Sequence, residues 1–464
     1  MAGTESLTFS KAAYRTEKFG LLTLLAFTTV VAVIAHGLHL PIVALVLFPL
    51  SLSFGVTNPY RFLILLFASH LFFFENFTKT SNVSFLVVPD LMVFAYVFLT
   101  AVTRFRQGLA LRLPINRSMV AMYVFVAYAL LLTLRSASAH TPLPFILIDV
   151  KCVLFLLLAP MLVVQDGYAR EPKKIFLLLL GVVLFTSAHA VFLLVKFVLI
   201  RLRVASWNEI YLSDAILISV LMLGLPFARK TLWTLRVCLA LCILALLSTQ
   251  TRGLWLSTVF CLAAYYASSL LKRNFRPAKA LRGVLIAGAV VITVHLALSF
   301  FLHLSFVDYI RTRMTTKAVQ ADELINPYSS LGYRIHESWA VWDQRSWFGH
   351  GPGATIHLFF TQMGLSKFMD WWSIHSGYFE LLHKFGFVGM AIFFFVYLTL
   401  YRDGRALSRS GSKWTAALGN AIKLILINHA IVSVTSGYFM RENVVILWVL
   451  FLYAIAKMRT PRTS

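Results

Sequence analysis

SFVDYIRTRMTTKAVQADELINPYSSLGYRIHESWAVWDQRSWFGHGPGATIHLFFTQMGLSKFMDWWSI, residues Ser305 to Ile374, is the stretch around which this chain is organised. Everywhere else the sequence soon returns to an apolar run; here it does not. The stretch is rich in Arg, His, Trp and Gly, and it lies between two strongly apolar segments near the C-terminal end. A chain that commits most of its length to a bilayer and leaves one large loop outside is expected to carry its chemistry in that loop.

The flanks set the class of protein. Of 464 residues, 59% are hydrophobic, 40 are Phe and only 13% are charged, against about 25% in soluble domains. A soluble chain of this length could not cover its surface with so few polar groups. The expectation is an all-α, polytopic transmembrane helical bundle. Apolar spans are read at 19–36, 40–55, 61–75, 84–103, 118–134, 145–165, 175–200, 207–228, 231–249, 253–271, 283–304, 376–400, 414–435 and 443–457, about 14 in all, or 12–14 with soft boundaries. The chain then divides into a bundle over 1–304, a long helical external loop over 305–374, and C-terminal spans over 375–464. The first apolar run, from Phe19, has no small-residue cleavage site, so no cleavable signal is expected. No internal repeat, low-complexity tract or heptad pattern is evident.

The net charge of +24 invites a nucleic-acid reading, but the distribution explains it otherwise. With alternating spans, 26 of the 42 Lys and Arg fall on one side, 12 on the other and four within spans; six of the 12 lie in the long loop. By the positive-inside rule the richer side is cytoplasmic, both termini are inside, and the loop faces out. Topology accounts for the charge, and no nucleic-acid partner is expected. Cys152, Cys238, Cys242 and Cys261 all fall in apolar runs and read as packing thiols. Sequons at Asn76, Asn82 and Asn116 are common by chance.

The basic residues on the outer side are the informative ones, because topology does not explain them. Arg252 sits in Ser248-Thr-Gln-Thr-Arg252-Gly-Leu-Trp255, a link of almost no length between two outward span ends. Its guanidinium stays charged in a dry site and offers a flat fork of donors suited to phosphate; taken alone it also reads as a snorkelling interfacial Arg. The loop opens with Asp308-Tyr-Ile-Arg311-Thr-Arg313. A helix is expected after Ser329-Ser330, which can cap it. Arg334, Glu337, Ser338 and Val341 share one face of that helix, and Ile335, Trp339 and Trp342 lie on the adjoining one, able to rest on the membrane interface. The run Trp347-Phe-Gly349-His-Gly351-Pro-Gly353 is a turn. A second amphipathic piece is read from Thr355 to about Trp372. His375, at the mouth of the next span, can take a proton from a hydroxyl, or be a hydrogen-bonded boundary histidine. His336, His350, His357 and His375 show no zinc spacing, and no metal is expected. Asp149 and Lys151, near the outer end of the sixth span, read either as a second phosphate-facing element or as an ion pair satisfying each other. Asp90 and Lys196 read as interior polar glue.

Four motifs in this order resemble the bacterial O-antigen ligase and O-antigen/exopolysaccharide polymerase superfamily. They are Thr251-Arg252-Gly253-Leu254-Trp255; Tyr333-Arg334 to Trp339; Phe348-Gly349-His350-Gly351-Pro352-Gly353; and His375-Ser376-Gly377-Tyr378 to Leu382, Gly386 and Gly389. The likeness covers about 250–390. Ser376 stands where the family more often has Asn.

The resemblance implies a metal- and cofactor-independent, inverting glycosyl transfer on the periplasmic face of the inner membrane. The donor would be a glycan on undecaprenyl diphosphate. The acceptor would be a lipid A core sugar, making a ligase, or another lipid-linked repeat, making a polymerase. The motifs do not separate the two; the span count and the outer basic residues lean to polymerase. In family terms Arg252 and Arg334 would hold the diphosphate, and His375 would activate the acceptor hydroxyl. Lys151, Arg311 and Tyr378 are further candidate substrate contacts. Glu337, one turn after Arg334, is a second candidate base or the partner that aims an Arg. The competing class is a lipid-linked oligosaccharide flippase or other transporter, which predicts inverted repeats and midplane charges.

Overall fold

The structure is a computed structural model. It describes residues 58–80, 88–106, 113–166, 172–200, 209–249, 251–270, 330–360, 367–371, 374–437, 439 and 441–459. The helices are α1 Pro59–Thr80, α2 Val88–Arg106, α3 Arg117–Ser138, α4 Leu143–Phe155, α5 Leu158–Asp166, α6 Pro172–Ile200, α7 Glu209–Leu223, α8 Arg229–Ser248 and α9 Arg252–Leu270. After these come α10 Ser330–Asp343, strands β1 Ile356–Phe360 and β2 Lys367–Trp371, then α11 Gly377–Leu407, α12 Lys413–Val432 and α13 Glu442–Arg459. The expected spans at 19–36, 40–55 and 283–304, and Arg311, lie outside the described residues.

Among the described residues, six helices are long and apolar enough to cross a membrane: Arg117–Ser138, Leu143–Gln165, Pro172–Lys196, Arg229–Ser248, Gly377–Leu407 and Lys413–Val432. α1, α2, α7, α9 and α13 occupy other expected positions. α13 runs through the middle of the bundle, buried at every position from Val444 to Met458. It stays there because its whole surface is apolar down to Lys457.

Contacts fix which helix ends lie together. At one end Asp403, late in α11, accepts from Ser118 Oγ at 2.5 Å and pairs with Arg459, the last residue of α13. Arg104, late in α2, donates to the Val164 carbonyl of α5. The opposite end gathers the start of α4, α7, α9, α11 and α13, and the loop packs there.

Two spans are broken, each for a local reason. The single span read at 145–165 is α4 and α5. Pro160 has no N–H to give the Leu156 carbonyl, and its ring presses on that residue; the bonds from Leu156 to Ala159 tighten to three-residue spacing. α11 breaks at Gly386, whose φ of 69° is left-handed.

The second amphipathic piece of the loop is not a helix, which corrects the all-helical reading of that segment. β1 and β2 form an antiparallel hairpin with His357 opposite Asp370. The pattern is period two: Ile356 and Leu358 are buried while His357 points out, as a strand requires. His357 Nδ1 and Asp370 Oδ1 meet at 3.0 Å on the wet face. Ile356 and Leu358 join Tyr333, Val341, Ile374 and Leu382 in a small core of their own.

Candidate active site

The expected helix after Ser330 is α10. It buries Tyr333, Glu337 and Val341 at four-residue spacing and exposes Trp339 and Trp342, the periodicity of one buried helical face. Glu337 is 1% exposed, and both its oxygens engage one residue. Oε2 accepts from the His375 backbone N–H at 2.8 Å, and Oε1 lies 3.1 Å from His375 Nδ1. A carboxylate only accepts, so this partner assigns the ring proton to Nδ1 and leaves Nε2 with its lone pair. The His375 ring is one-third exposed, so a second molecule can reach it. The Tyr333 ring stands edge-on to it, centroids 5.6 Å apart. Burial, then the charge of Glu337, push the Tyr333 phenol up from its ordinary range, so it stays protonated. Of the two roles read for Glu337, base or Arg partner, the geometry adds a third: it holds His375.

Arg334 is half-buried on the same helix, one turn before Ser338, whose Oγ donates to the Arg334 carbonyl at 2.8 Å. Arg252 begins α9. The link before it is tied down twice. Thr251 Oγ donates to Glu209 Oε2 at 2.5 Å, and Trp255 Nε1 donates to the Leu246 carbonyl at 2.8 Å. No hydrogen bond or ion pair holds the half-buried Arg252 guanidinium among the described residues.

Arg252 and His375 head two helices that lean on the same connection, the segment after α12. A Cβ on Gly253 would lie 3.1 Å from Thr435 Oγ1. Gly377 N donates to the Ser433 carbonyl at 2.8 Å. The structure thus brings the two span-end residues to one strip of chain, with α10 delivering Glu337 and Arg334 from the loop.

The turn at 347–353 locks the loop to the bundle. The break at Gly386 frees backbone groups, and the turn takes them: His350 N donates to His383 O at 3.0 Å, Gly351 N to Lys384 O at 2.8 Å, and Val388 N to Trp347 O at 3.1 Å. Buried backbone in a membrane needs such substitutes. Gly349 and Gly386, with φ of 76° and 69°, lie so close that a Cβ on either would fall within 2.5 Å of the other's backbone nitrogen. Tyr128 OH of α3 donates to the carbonyls of Phe348 and Phe385.

Asp149 completes this joint. Its Oδ2 accepts from Gly353 N at 2.6 Å and its Oδ1 from Lys384 Nζ at 2.9 Å; Lys384 also reaches Glu380 at 2.8 Å. The pairing of Asp149 with Lys151 is therefore corrected. Lys151 is buried and bonds Asp90 at 3.0 Å, inside the bundle. Lys384, a fully buried cation, was the signal that a distant partner must exist. Tyr378 donates to the Ala430 carbonyl at 2.8 Å and packs on Phe394 and Phe439. Among the described residues no three His, Cys, Asp or Glu side chains converge as metal ligands would.

Taken together, the arrangement can do one kind of chemistry: a histidine with an assigned tautomer can accept a proton, on helices that also carry cations suited to a phosphate. No curated protein matches the chain. A family model described as O-antigen ligase matches residues 237–394, from α8 into α11. The matched stretch contains Arg252, Arg334, Glu337, the 347–353 turn and His375. Over that stretch the chain is similar to the O-antigen ligase family, and the likeness supports an O-antigen ligase/polymerase assignment.

Proposed function

We infer that the protein transfers a glycan from undecaprenyl diphosphate to an acceptor sugar hydroxyl on the periplasmic face of the inner membrane. The acceptor hydroxyl oxygen attacks the anomeric carbon, the bond from that carbon to the phosphate oxygen breaks, and His375 Nε2 takes the hydroxyl proton. One displacement inverts the anomeric centre. The leaving lipid diphosphate gathers charge as the bond breaks, and the guanidinium groups of Arg252 and Arg334 stabilise it without a metal. Both termini are cytoplasmic, and the loop lies over the outer mouth of the bundle.

The observation that carries this reading is the double contact of Glu337 on His375. A buried carboxylate that orients a histidine and stabilises the imidazolium formed is the arrangement a general base needs. Lys151 and Tyr378 hold no role in it, being bonded within the bundle; Arg311 lies outside the described residues. The acceptor decides between polymerase and ligase: a second lipid-linked repeat, or a lipid A core sugar.

The test is reconstitution of the purified protein in liposomes with a lipid-linked glycan, each acceptor in turn, and a chelator. Lipid diphosphate is expected to appear in step with new glycosidic bonds. Movement of the intact donor across the bilayer without bond formation would identify a flippase instead.

A further inference from the structure

Below the mouth the bundle holds a polar cluster that the proposed transfer does not use. Ser213 and Asp214 of α7, Thr258 of α9, Asn428 and His429 of α12 and Trp448 of α13 meet there, all of them buried. Thr258 lies about 9 Å along α9 from Arg252. His429 is one turn before Ser433, whose carbonyl receives Gly377 N. The hydrogen bonds fix the charge of each group. Trp448 Nε1 donates to His429 Nδ1 at 3.3 Å, so that nitrogen carries no proton and the ring is neutral. His429 Nε2 then donates to Asp214 Oδ2 at 2.8 Å, and Asn428 Nδ2 donates to Asp214 Oδ1 at 3.0 Å. Both oxygens accept, so Asp214 is a carboxylate. Among the described residues no Lys or Arg pairs with it.

A carboxylate with only neutral partners leaves one negative charge inside the bundle, which is costly. A second unmet group lies beside it. Asn428 Oδ1 is fully buried and has no hydrogen-bond partner among the described residues. The Nδ2 of the same amide bonds both Asp214 Oδ1 and Ser213 Oγ, the latter at 2.8 Å. One N–H of an amide lies on the side of its oxygen, so one of these two acceptors stands next to Asn428 Oδ1. Two more lone pairs are close. Thr258 Oγ1 donates to the Leu254 carbonyl at 2.6 Å, so the proton between Ser213 and Thr258, 2.7 Å apart, belongs to Ser213. Each hydroxyl oxygen then keeps one lone pair unused.

We propose that this cluster binds one Na+ ion, which joins α7, α9 and α12 beneath the mouth. The ligands are Asn428 Oδ1, the Asp214 carboxylate and the Ser213 and Thr258 hydroxyl oxygens. Oxygens alone suit a hard cation and not zinc or copper, and both His429 nitrogens are already engaged. One uncompensated carboxylate calls for one positive charge; a divalent ion would leave a net charge buried in its turn. The polar atoms stand 2.7 to 3.0 Å from their neighbours, a spread that a small ion spans more closely than K+. Only one of the ligands is ionisable, so no metal-ligand spacing marks the site in the sequence. The site is separate from His375 and the chemistry proposed there, and a chelator of divalent ions leaves its ion in place.

The test uses the full-length protein in detergent, with choline chloride replaced stepwise by NaCl or KCl at constant ionic strength. The Tm of wild type is expected to rise with Na+, following the logarithm of its concentration above the Kd. K+ is expected to need about tenfold more for the same rise; an equal response to both ions, or none to Na+, overturns the proposal. Equilibrium binding of radioactive Na+ should saturate at one ion per chain, and no saturable binding overturns the proposal whatever the Tm does. Asp214→Asn removes the charge and is expected to abolish both the binding and the Na+ dependence of Tm; survival of either overturns the proposal. Where that variant fails to fold, Thr258→Val keeps the charge and the volume and removes one ligand. A Kd for Na+ about tenfold weaker than that of wild type is then expected, and an unchanged Kd overturns the proposal. Both readouts are independent of glycan transfer.

Discussion

Glu337 and His375, 38 residues apart, are joined at two points, backbone N–H at 2.8 Å and ring Nδ1 at 3.1 Å. The pair ties the loop helix to the first residue above the span. It sets the tautomer of the histidine and the height of α10 over the mouth at once.

Replacing Glu337 by Gln keeps the shape and removes the charge. The amide can turn its NH2 toward Nδ1 and so move the ring proton to Nε2, where it blocks base action. The expected loss is about 10²–10⁴ in kcat with donor KM little affected, by comparison with the orienting carboxylate of a Ser-His-Asp triad. Single-turnover glycan transfer measures it. An unaltered kcat removes Glu337 from the machinery.

The two arginines are expected to differ from lysine in kind. Arg252→Ala or Arg334→Ala should each cost about 10²–10³ in rate, the size of losing one preorganised donor to a developing oxyanion. Lys at either position restores charge without the bidentate fork and should recover only part. Full recovery by Lys would mean that point charge alone suffices there.

The joint between the turn and α11 is a matter of stability, not chemistry. Gly386→Ala places a methyl 2.2 Å from Gly349 N and forces a left-handed φ on a residue with a Cβ. A loss of at least about 2 kcal/mol is expected, read as a lower Tm in detergent. Gly411→Ala meets nothing within 4 Å and should leave Tm in place. Equal Tm values for the two variants would contradict the close approach.

Lys384 is buried among Asp149 and Glu380. Lys384→Met strands two carboxylates and should cost about 3–5 kcal/mol. Adding Asp149→Asn removes one of them and should recover part of the loss. Thermal unfolding of the single and double variants measures the coupling; simple additivity would separate Asp149 from Lys384.

The placement of several candidate-site residues was legible in the sequence because they sit at boundaries. Arg252 reads correctly as the head of a helix, since the link before it is too short to be anything else. The start of α10 at Ser330 follows from its two serines and the change of period. What was not legible depends on contacts across the chain. Nothing near Asp149 names Lys384, 235 residues away, and Lys151 is the nearer cation in sequence only. The hairpin was hidden because its inward positions, Ile356 and Leu358, are too few to separate period two from an amphipathic helix. The grip of Glu337 on His375 needs the loop to fold back over the mouth, which spacing along one helix does not reveal.

The most direct test is glycan transfer by wild type and His375→Ala in the same liposomes, with chelator present and lipid diphosphate release followed beside bond formation. Wild type should release one lipid diphosphate per bond formed, and His375→Ala should fall by at least about 10² while retaining the wild-type Tm. Transfer by His375→Ala at near wild-type rate, or wild-type transfer abolished by the chelator, would contradict the account.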